Sequence, residues 1–321
     1  MFVGDNMYSI GIDIGGMSIK AGLVDEQGVI VYKTVVKTAK TSKDAIIDIL
    51  GLIDEILAKN KLQMFDINGI GIGCPGTIST STGVVEASYN LGWEKVSLGE
   101  AIKNKYNTRV IVCNDAHVAV LGEVVFGCAK GYKSAVMFTL GTGVGGGVVI
   151  DGKLFEGKES KGTELGHTTL IYGGEKCSCG RCGCVEAYVS ASALIRQTKS
   201  AMKKNKNSLL WKEVSGDINK IDGSTVFSCA KKKDETAVLV FEKYCNYLAE
   251  SIMNMLNIFR PDAFILGGGV SNAGDFLLNK VKEICEKNDY GYKGAPVPEL
   301  LLASLGNDAG IIGASSLVVG F

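Results

Sequence analysis

Two stretches of this sequence share one plan, and that plan constrains the fold more than any other feature. Residues 10–25, IGIDIGGMSIKAGLVD, and 136–151, VMFTLGTGVGGGVVID, each read as an apolar strand, a glycine turn and a second strand. An aspartate follows ten positions after the turn's first glycine, Gly15 to Asp25 and Gly141 to Asp151. Either stretch alone is an ordinary hairpin signal. The pair hints at an internal duplication. It also has a chemical use, since exposed N–H groups of a glycine-rich turn form a concave nest that can hold phosphate oxygens. The chain carries 42 glycines against 4 prolines, gathered into a few strand-flanked clusters, as suits loops that approach ligands closely.

Between and after the hairpins, strand and helix signals alternate, which argues for an α/β protein. Ser42 is placed to cap a helix whose apolar positions Ile46, Ile49, Ile53 and Ile56 recur at spacings of three and four, one buried face. Strands are expected over 67–73 and 109–113, the second running into Asn114 and Asp115. Asp115 stands where a helix over AHVAVLGEVVFG should start, and taken alone it reads as that helix's N-cap. Farther on, Glu235–Phe259 reads as a long helix, 263–266 as a short strand, 267–269 as a third glycine turn, and LGNDAGIIGASSLVV as a closing helix.

Composition narrows the function. A chain of 321 residues with 46% hydrophobic content can build one large or two ordinary domains with real cores and needs no disulfides for stability. MFVGDNMYSIGIDIGG carries Asp5 and Asp13 and lacks a basic segment followed by an apolar run, so no signal peptide is expected and a cytoplasmic protein is. The charge-free stretches 67–85 and 134–150 are broken by Gly, Ser and Thr, and no membrane span is expected. Lys plus Arg and Asp plus Glu are both 34, which leaves no basic field to attract nucleic acid. A small-molecule ligand is the default. CSCGRCGC, residues 177–184, puts four cysteines into eight positions: a disulfide knot, a redox switch or a metal cage. A reducing cytosol disfavours the knot.

DIGGMSIKAGLVD, GIGCPG, YNLGW, CNDAHVAVLGE, TLGTGVGGG, ELGHTTL, CSCGRCGCVEAY, ILGGGV and GNDAGIIGA occur in the order found in the ROK family of repressors, open reading frames and sugar kinases. The chain most resembles the bacterial glucokinase branch of that family. The resemblance implies an α/β, two-domain, actin-like (ribonuclease-H-like) sugar kinase fold with a cleft between the domains. The smaller domain would take 1–116 plus 305–321 and the larger 117–304, with the zinc loop.

The resemblance also implies roles for residues. His167, Cys177, Cys179 and Cys184 match the family's structural zinc ligands, with Gly180 and Gly183 bending the loop; Cys182 departs from the family pattern and reads as a spare thiol rather than a competing ligand. One imidazole and three thiolates make a closed tetrahedral set that suits structural zinc. Glu164, Glu186 and His167 would contact the sugar together with Gly76, Asn90 and Asn114. Asp115 would be the base that accepts the proton of the attacking hydroxyl. Gly15, Gly16, Lys20, Gly141, Thr142 and Gly143 would cradle the phosphates of ATP, Asp13 would hold magnesium through water, and Gly268 would flank the adenosine. Met17 replaces the usual Thr and removes a hydroxyl donor. His117, at a position often Asn or Lys, reads as an exposed helix residue.

The activity so implied is ATP-dependent phosphorylation of a hexose at the 6-hydroxyl, glucose first, by a homodimer. An N-acetylhexosamine such as N-acetylmannosamine or N-acetylglucosamine is the alternative acceptor, and the donor among nucleotides and polyphosphate stays open. A third reading, a sugar-sensing regulator, would need an N-terminal helix-turn-helix module of roughly two to three helices. The first hairpin begins by Tyr8, which leaves no room for one.

Overall fold

The burial of the first strands follows from where they sit. β1 (Tyr8–Ile14) is central and buried on both faces, and β2 (Ser18–Asp25) lies antiparallel to it, with Asp13 opposite Lys20. β3 (Ile30–Lys37) is the edge, alternating half-buried and exposed residues along IVYKTVVK as a strand covered on one face should. The computed structural model describes residues 8–290 and 296–319. The expectation about a leader segment rests largely on residues 1–7, outside those described.

Helix α1 (Ser42–Asn60) buries Ala45, Ile49, Leu52, Ile53 and Ile56, while Ile46 is only half-buried at the stripe's margin. Its N-cap is Thr41 rather than Ser42: Thr41 is extended and its hydroxyl accepts the Asp44 N–H. β4 (Ile67–Cys74) runs parallel to β1, and a three-stranded sheet follows from β5 (Thr77–Ser79), β6 (Val84–Ser88) and β7 (Trp93–Val96). After α2 (Leu98–Tyr106), β8 (Val110–Asn114) pairs parallel with β4 and leads directly into α3 (Asp115–Val125).

The first five-stranded sheet has the order β3-β2-β1-β4-β8. The second is built from β9 (Ala135–Leu140), β10 (Val144–Ile150), β11 (Lys153–Leu154), β12 (Ala263–Gly267) and β13 (Glu299–Leu302), in the order β11-β10-β9-β12-β13. Numbered by appearance within each sheet, both run 3-2-1-4-5, and each begins with one of the paired glycine hairpins. The duplication suggested by those hairpins therefore extends to whole sheets. Between β11 and β13 lie α4 (Glu186–Val189), α5 (Ala191–Lys204), α6 (Leu209–Glu213), α7 (Thr225–Lys231), α8 (Glu235–Phe259) and α9 (Asp275–Asn288). α8 has the expected bounds, with Asp234 capping it by accepting the Ala237 N–H. The closing helix, α10 (Ala309–Ser316), is shorter than expected.

α10 lies on glycines. A Cβ at Gly11 of β1 would fall on the Ile311 carbonyl, one at Gly71 of β4 on the Ala314 carbonyl, and one at Gly313 on the Val118 carbonyl of α3. Only the absence of side chains lets this helix approach two strands and a neighbouring helix so closely. The chain divides into two compact units, one taking residues up to Ala135, Gly147–Thr163 and from Ser304 on, the other Val136–Gly146 and Glu164–Ala303. The division expected after residue 116 falls too early, because α3 packs against α10 and stays with the first unit. Residues 147–163, expected in the larger domain, also belong to the first unit. No helix among the described residues is long and apolar enough to cross a membrane.

The packing predicts opposite effects for two Gly→Ala changes. Gly71→Ala should lose at least the roughly 1–3 kcal/mol typical of overpacking, because backbone must move. Gly51→Ala, on the exposed side of α1 with open space around it, should gain up to about 1 kcal/mol. Urea denaturation of both variants checks the pair.

Candidate functional site

In the first unit, the turn after β1 is tied down at its base and open at its tip. The Gly15 N–H donates to the Ser18 carbonyl at 2.9 Å, the Thr38 hydroxyl donates to the Gly15 carbonyl at 2.6 Å, and the Thr38 N–H to the Met17 carbonyl at 3.1 Å. Gly16 is exposed, and the Met17 side chain projects into solvent at 87% exposure. Thr38 thus supplies a hydroxyl to this turn, bonded to backbone, although position 17 has none. Nothing in the local sequence marks it, since it is 23 residues from Gly15. Behind the turn, Lys20 Nζ lies 3.5 Å from Asp13 Oδ2. Burial pushes the Asp13 carboxyl above its ordinary range, with the Lys20 and Lys33 charges opposing. Gly310 of α10 lets the chain pass against this carboxylate, where a Cβ would press on Asp13 Cγ.

The β8–α3 junction assigns the cap to Asn114 rather than Asp115. Asn114 Oδ1 accepts the N–H groups of Ala116 and His117 at 2.9 and 3.3 Å, and its Nδ2 donates to the Gly76 carbonyl at 3.0 Å. Gly76 holds φ +111°, and a Cβ there would meet the Ala87 carbonyl, so this contact requires glycine. Asp115 is the first residue of α3, is exposed, and accepts one N–H, from Ala116 at 2.9 Å. Protein crowded around this exposed carboxylate takes part of its hydration. That desolvation raises its pKa, Asp13 adds to the rise, and the Ala116 N–H and His117 oppose it. Asn90 is exposed in the β6–β7 turn. His117, expected on the exposed side of the helix, is instead 4% exposed.

In the second unit, the 141–143 turn is held from below. Gly141 donates to the Gly143 carbonyl at 3.0 Å, while the carbonyls of Gly141 and Thr142 accept from the Ala191 N–H and the Ser192 hydroxyl, both at 2.8 Å. Thr142 is exposed. Gly268, exposed just after β12 with φ +81°, lies so close to Leu140 backbone that a side chain is excluded. Glu164 is exposed and precedes a single helical turn, Leu165–His167, that presents His167.

The loop after that turn gathers His167, Cys177, Cys179 and Cys184, whose donor atoms all lie within 4.8 Å of one another. Cys177 Sγ is 3.6 Å from His167 Nδ1, and Cys179 Sγ is 3.7 Å from Cys184 Sγ. A tetrahedral zinc with bonds of about 2.3 Å to sulfur and about 2.0–2.1 Å to nitrogen spaces its donors by roughly 3.6–3.8 Å, so this donor set fits the ion. Gly180 and Gly183, both at φ +88°, make the bends. The Arg181 N–H holds the Cys179 thiol below its ordinary pKa, and the Arg181 guanidinium donates to the His167 carbonyl and Thr169 Oγ1, both at 3.0 Å. Cys182 is exposed and outside the set of four. Glu186 joins this loop to the 141–143 turn: Oε1 accepts from the Cys177 thiol and Ser178 hydroxyl, and Oε2 accepts the Val144 N–H at 3.1 Å. Ser178 and Arg181 were not singled out from the sequence. A cysteine-rich loop marks its ligands by residue type, but not the polar residues that orient them.

The family model described as ROK family matches residues 9–320. A glucokinase of Halalkalibacterium halodurans is 36% identical over 320 residues, covering 98% of this chain and 95% of that protein. A glucokinase of Thermotoga maritima is also 36% identical, with 96% of each chain covered. Among solved structures, a ROK family glucokinase from Streptomyces griseus in complex with glucose and AMPPNP superposes with a TM-score of 0.81, at 31% identity, over 97% of this chain and 98% of that one.

The raised pKa of Asp115 carries a stability prediction. Above its folded-state pKa the carboxylate is ionised and less well hydrated than in the unfolded chain, so its charge costs some stability. Below the ordinary carboxylate pKa both states are protonated and the cost vanishes. Asp115→Asn, which keeps the Asn114 cap intact, should melt at or above the parent temperature at neutral pH, with the gap closing as pH falls toward about 4. Thermal melts across that range check the sign; a lower melting temperature at neutral pH would overturn it.

Proposed function

Because the chain belongs to the ROK family, we propose that it is a sugar kinase that transfers the terminal phosphoryl group of ATP to the 6-hydroxyl of a hexose, with glucose as the acceptor. It has the actin-like, two-domain α/β fold of that family's sugar kinases. The observation that carries the chemistry is the division of labour at the β8–α3 junction. Asn114 caps the helix, so the Asp115 carboxylate keeps acceptor capacity toward solvent.

Phosphoryl transfer asks the protein mainly for positioning and charge stabilisation. In this reading Asp115 fixes the attacking hydroxyl and accepts its proton as the new O–P bond forms, and its raised pKa makes it a better base. The remaining N–H of Asn114, with Gly76, Asn90, Glu164, His167 and Glu186, would bind the other sugar hydroxyls. The turns at Gly15, Gly16 and Gly141–Gly143, with Lys20, would receive phosphate oxygens, Gly268 would leave room for the adenosine, and Asp13 would hold hydrated magnesium. His167, Cys177, Cys179 and Cys184 would hold a structural zinc. That ion would supply no step of the reaction; it would lock the loop whose Ser178 hydroxyl bonds the Glu186 carboxylate.

A coupled assay should give a higher kcat/KM for glucose than for N-acetylglucosamine or N-acetylmannosamine; the reverse order would move the acceptor to the hexosamines. Asp115→Asn should lower kcat by roughly 10²–10⁴ with glucose and ATP still binding at near-parental affinity. Near-parental turnover would remove Asp115 from the base role. Zinc removal should weaken glucose binding and lower the melting temperature together, whereas Cys182→Ser should retain the metal.

A further inference from the structure

A second group of metal-ligating side chains lies in the first unit. Cys113 comes from the end of β8, His117 from the first turn of α3, and Glu156 from the segment after β11. Cys113 Sγ is 3.3 Å from Glu156 Oε1 and 3.9 Å from His117 Nδ1, and that nitrogen is 3.9 Å from the same Oε1. Cys113 and His117 are buried and Glu156 is half-buried.

A hydrogen-bonded cluster explains only one side of this triangle. The Cys113 thiol can donate to Glu156, but 3.9 Å is beyond a nitrogen–oxygen hydrogen bond. The orientation of the imidazole is set from its far side. Thr163 Oγ1 donates to the Gly162 carbonyl at 2.8 Å, so toward His117 it acts as acceptor and Nε2 carries the proton. In the neutral imidazole, Nδ1 then aims a lone pair toward a thiol and a carboxylate. This is the tautomer of a metal-binding histidine whose other nitrogen is fixed by an outer partner. Glu156 is fixed likewise: the Thr80 hydroxyl donates to Oε1 at 2.5 Å, and the Glu156 carbonyl accepts the Gly162 N–H at 2.7 Å.

We propose that Cys113, His117 and Glu156 form a second metal site, for a zinc-class divalent cation, separate from the three-cysteine, one-histidine set. With bonds of about 2.3 Å to sulfur and about 2.0–2.2 Å to nitrogen and oxygen, a tetrahedral ion needs donor separations of roughly 3.3–3.6 Å, within about half an ångström of those present. Thiolate and imidazole ligands select a borderline or soft ion over magnesium or calcium. Binding releases the Cys113 thiol proton to solvent. Thiolate, carboxylate and dication then sum to zero charge, and three protein ligands leave a fourth position for water. The ion would grip residues on both sides of Asn114 and Asp115 and hold the β8–α3 junction.

The test counts metal by difference, which keeps it independent of the first site. Purified protein with its native metal is equilibrated with excess zinc, freed of unbound ion and analysed for zinc per chain. The parent should hold one ion more than Glu156→Gln and than His117→Asn. Zinc affinity at this site should fall by at least the roughly 10–100-fold that loss of an outer-shell partner costs. With cobalt as probe, the parent should show a thiolate charge-transfer contribution that Cys113→Ser lacks. If a variant fails to fold, total metal on the cobalt-saturated parent decides: zinc plus cobalt of only one equivalent per chain overturns the site, as does equal zinc in the parent and a folded Glu156→Gln.

Discussion

The first unit depends on how closely α10 approaches what lies beneath it. Its backbone sits where side chains of β1, β4 and α3 would otherwise stand, an approach that Gly11, Gly71 and Gly313 permit. At that distance carbonyls and Cα atoms touch directly, and a single added methyl has no rotamer to escape into. The contact places α10 against β1 and extends to the Asp13 carboxylate. Gly310, at the start of α10, packs on the Asp13 carboxylate, and the residues just before the helix are held by a buried acid of α3. Glu123 accepts the N–H groups of Ser304 and Leu305, both at 2.9 Å, and the Ser304 hydroxyl at 3.0 Å. The acid is wholly buried, and these bonds replace the water it lost.

That rigidity gives meaning to the electrostatics at the β8–α3 junction. A helix N-terminus offers N–H groups that favour a carboxylate, and an aspartate used as a cap would be held acidic and occupied. Here Asn114 takes the cap, and Asp115 is left with one N–H, a partial loss of hydration and the like charge of Asp13. A neutral side chain does the structural task, and the charged one beside it is left with a single N–H partner. The two residues differ by an amide in place of a carboxylate, yet the backbone separates their roles.

In the second unit one carboxylate links two loops. Glu186 reads the cysteine loop with one oxygen and the 141–143 turn with the other, and a Cβ on Gly143 would strike that second oxygen. Ordering of the cysteine loop is thereby coupled to the position of the carboxylate and the backbone of the turn.

The sequence by itself determined the elements whose signals are local. Both glycine hairpins and the long helix Glu235–Phe259 follow from period and turn residues within short windows, the paired hairpins hinted at the duplication that the two sheets share, and the Cys/His set came from the family's motif. Family-specific motifs carried the identity of the chemistry. Tertiary structure alone decided that Thr38 clamps the Gly15 turn from 23 residues away, that His117 turns inward, that α3 and residues 147–163 stay with the first unit, and that Glu156 reaches Cys113 across 43 residues. Thr41 replaced Ser42 as a cap, and Asn114 replaced Asp115, because a cap is chosen by the φ/ψ of a single residue, which both members of a polar pair could adopt. The physical reason is common to all of these. Periodicity and turn chemistry are written along the chain, whereas side-chain partnerships at long separation depend on which backbones pack together, and that packing leaves no repeating mark in the sequence.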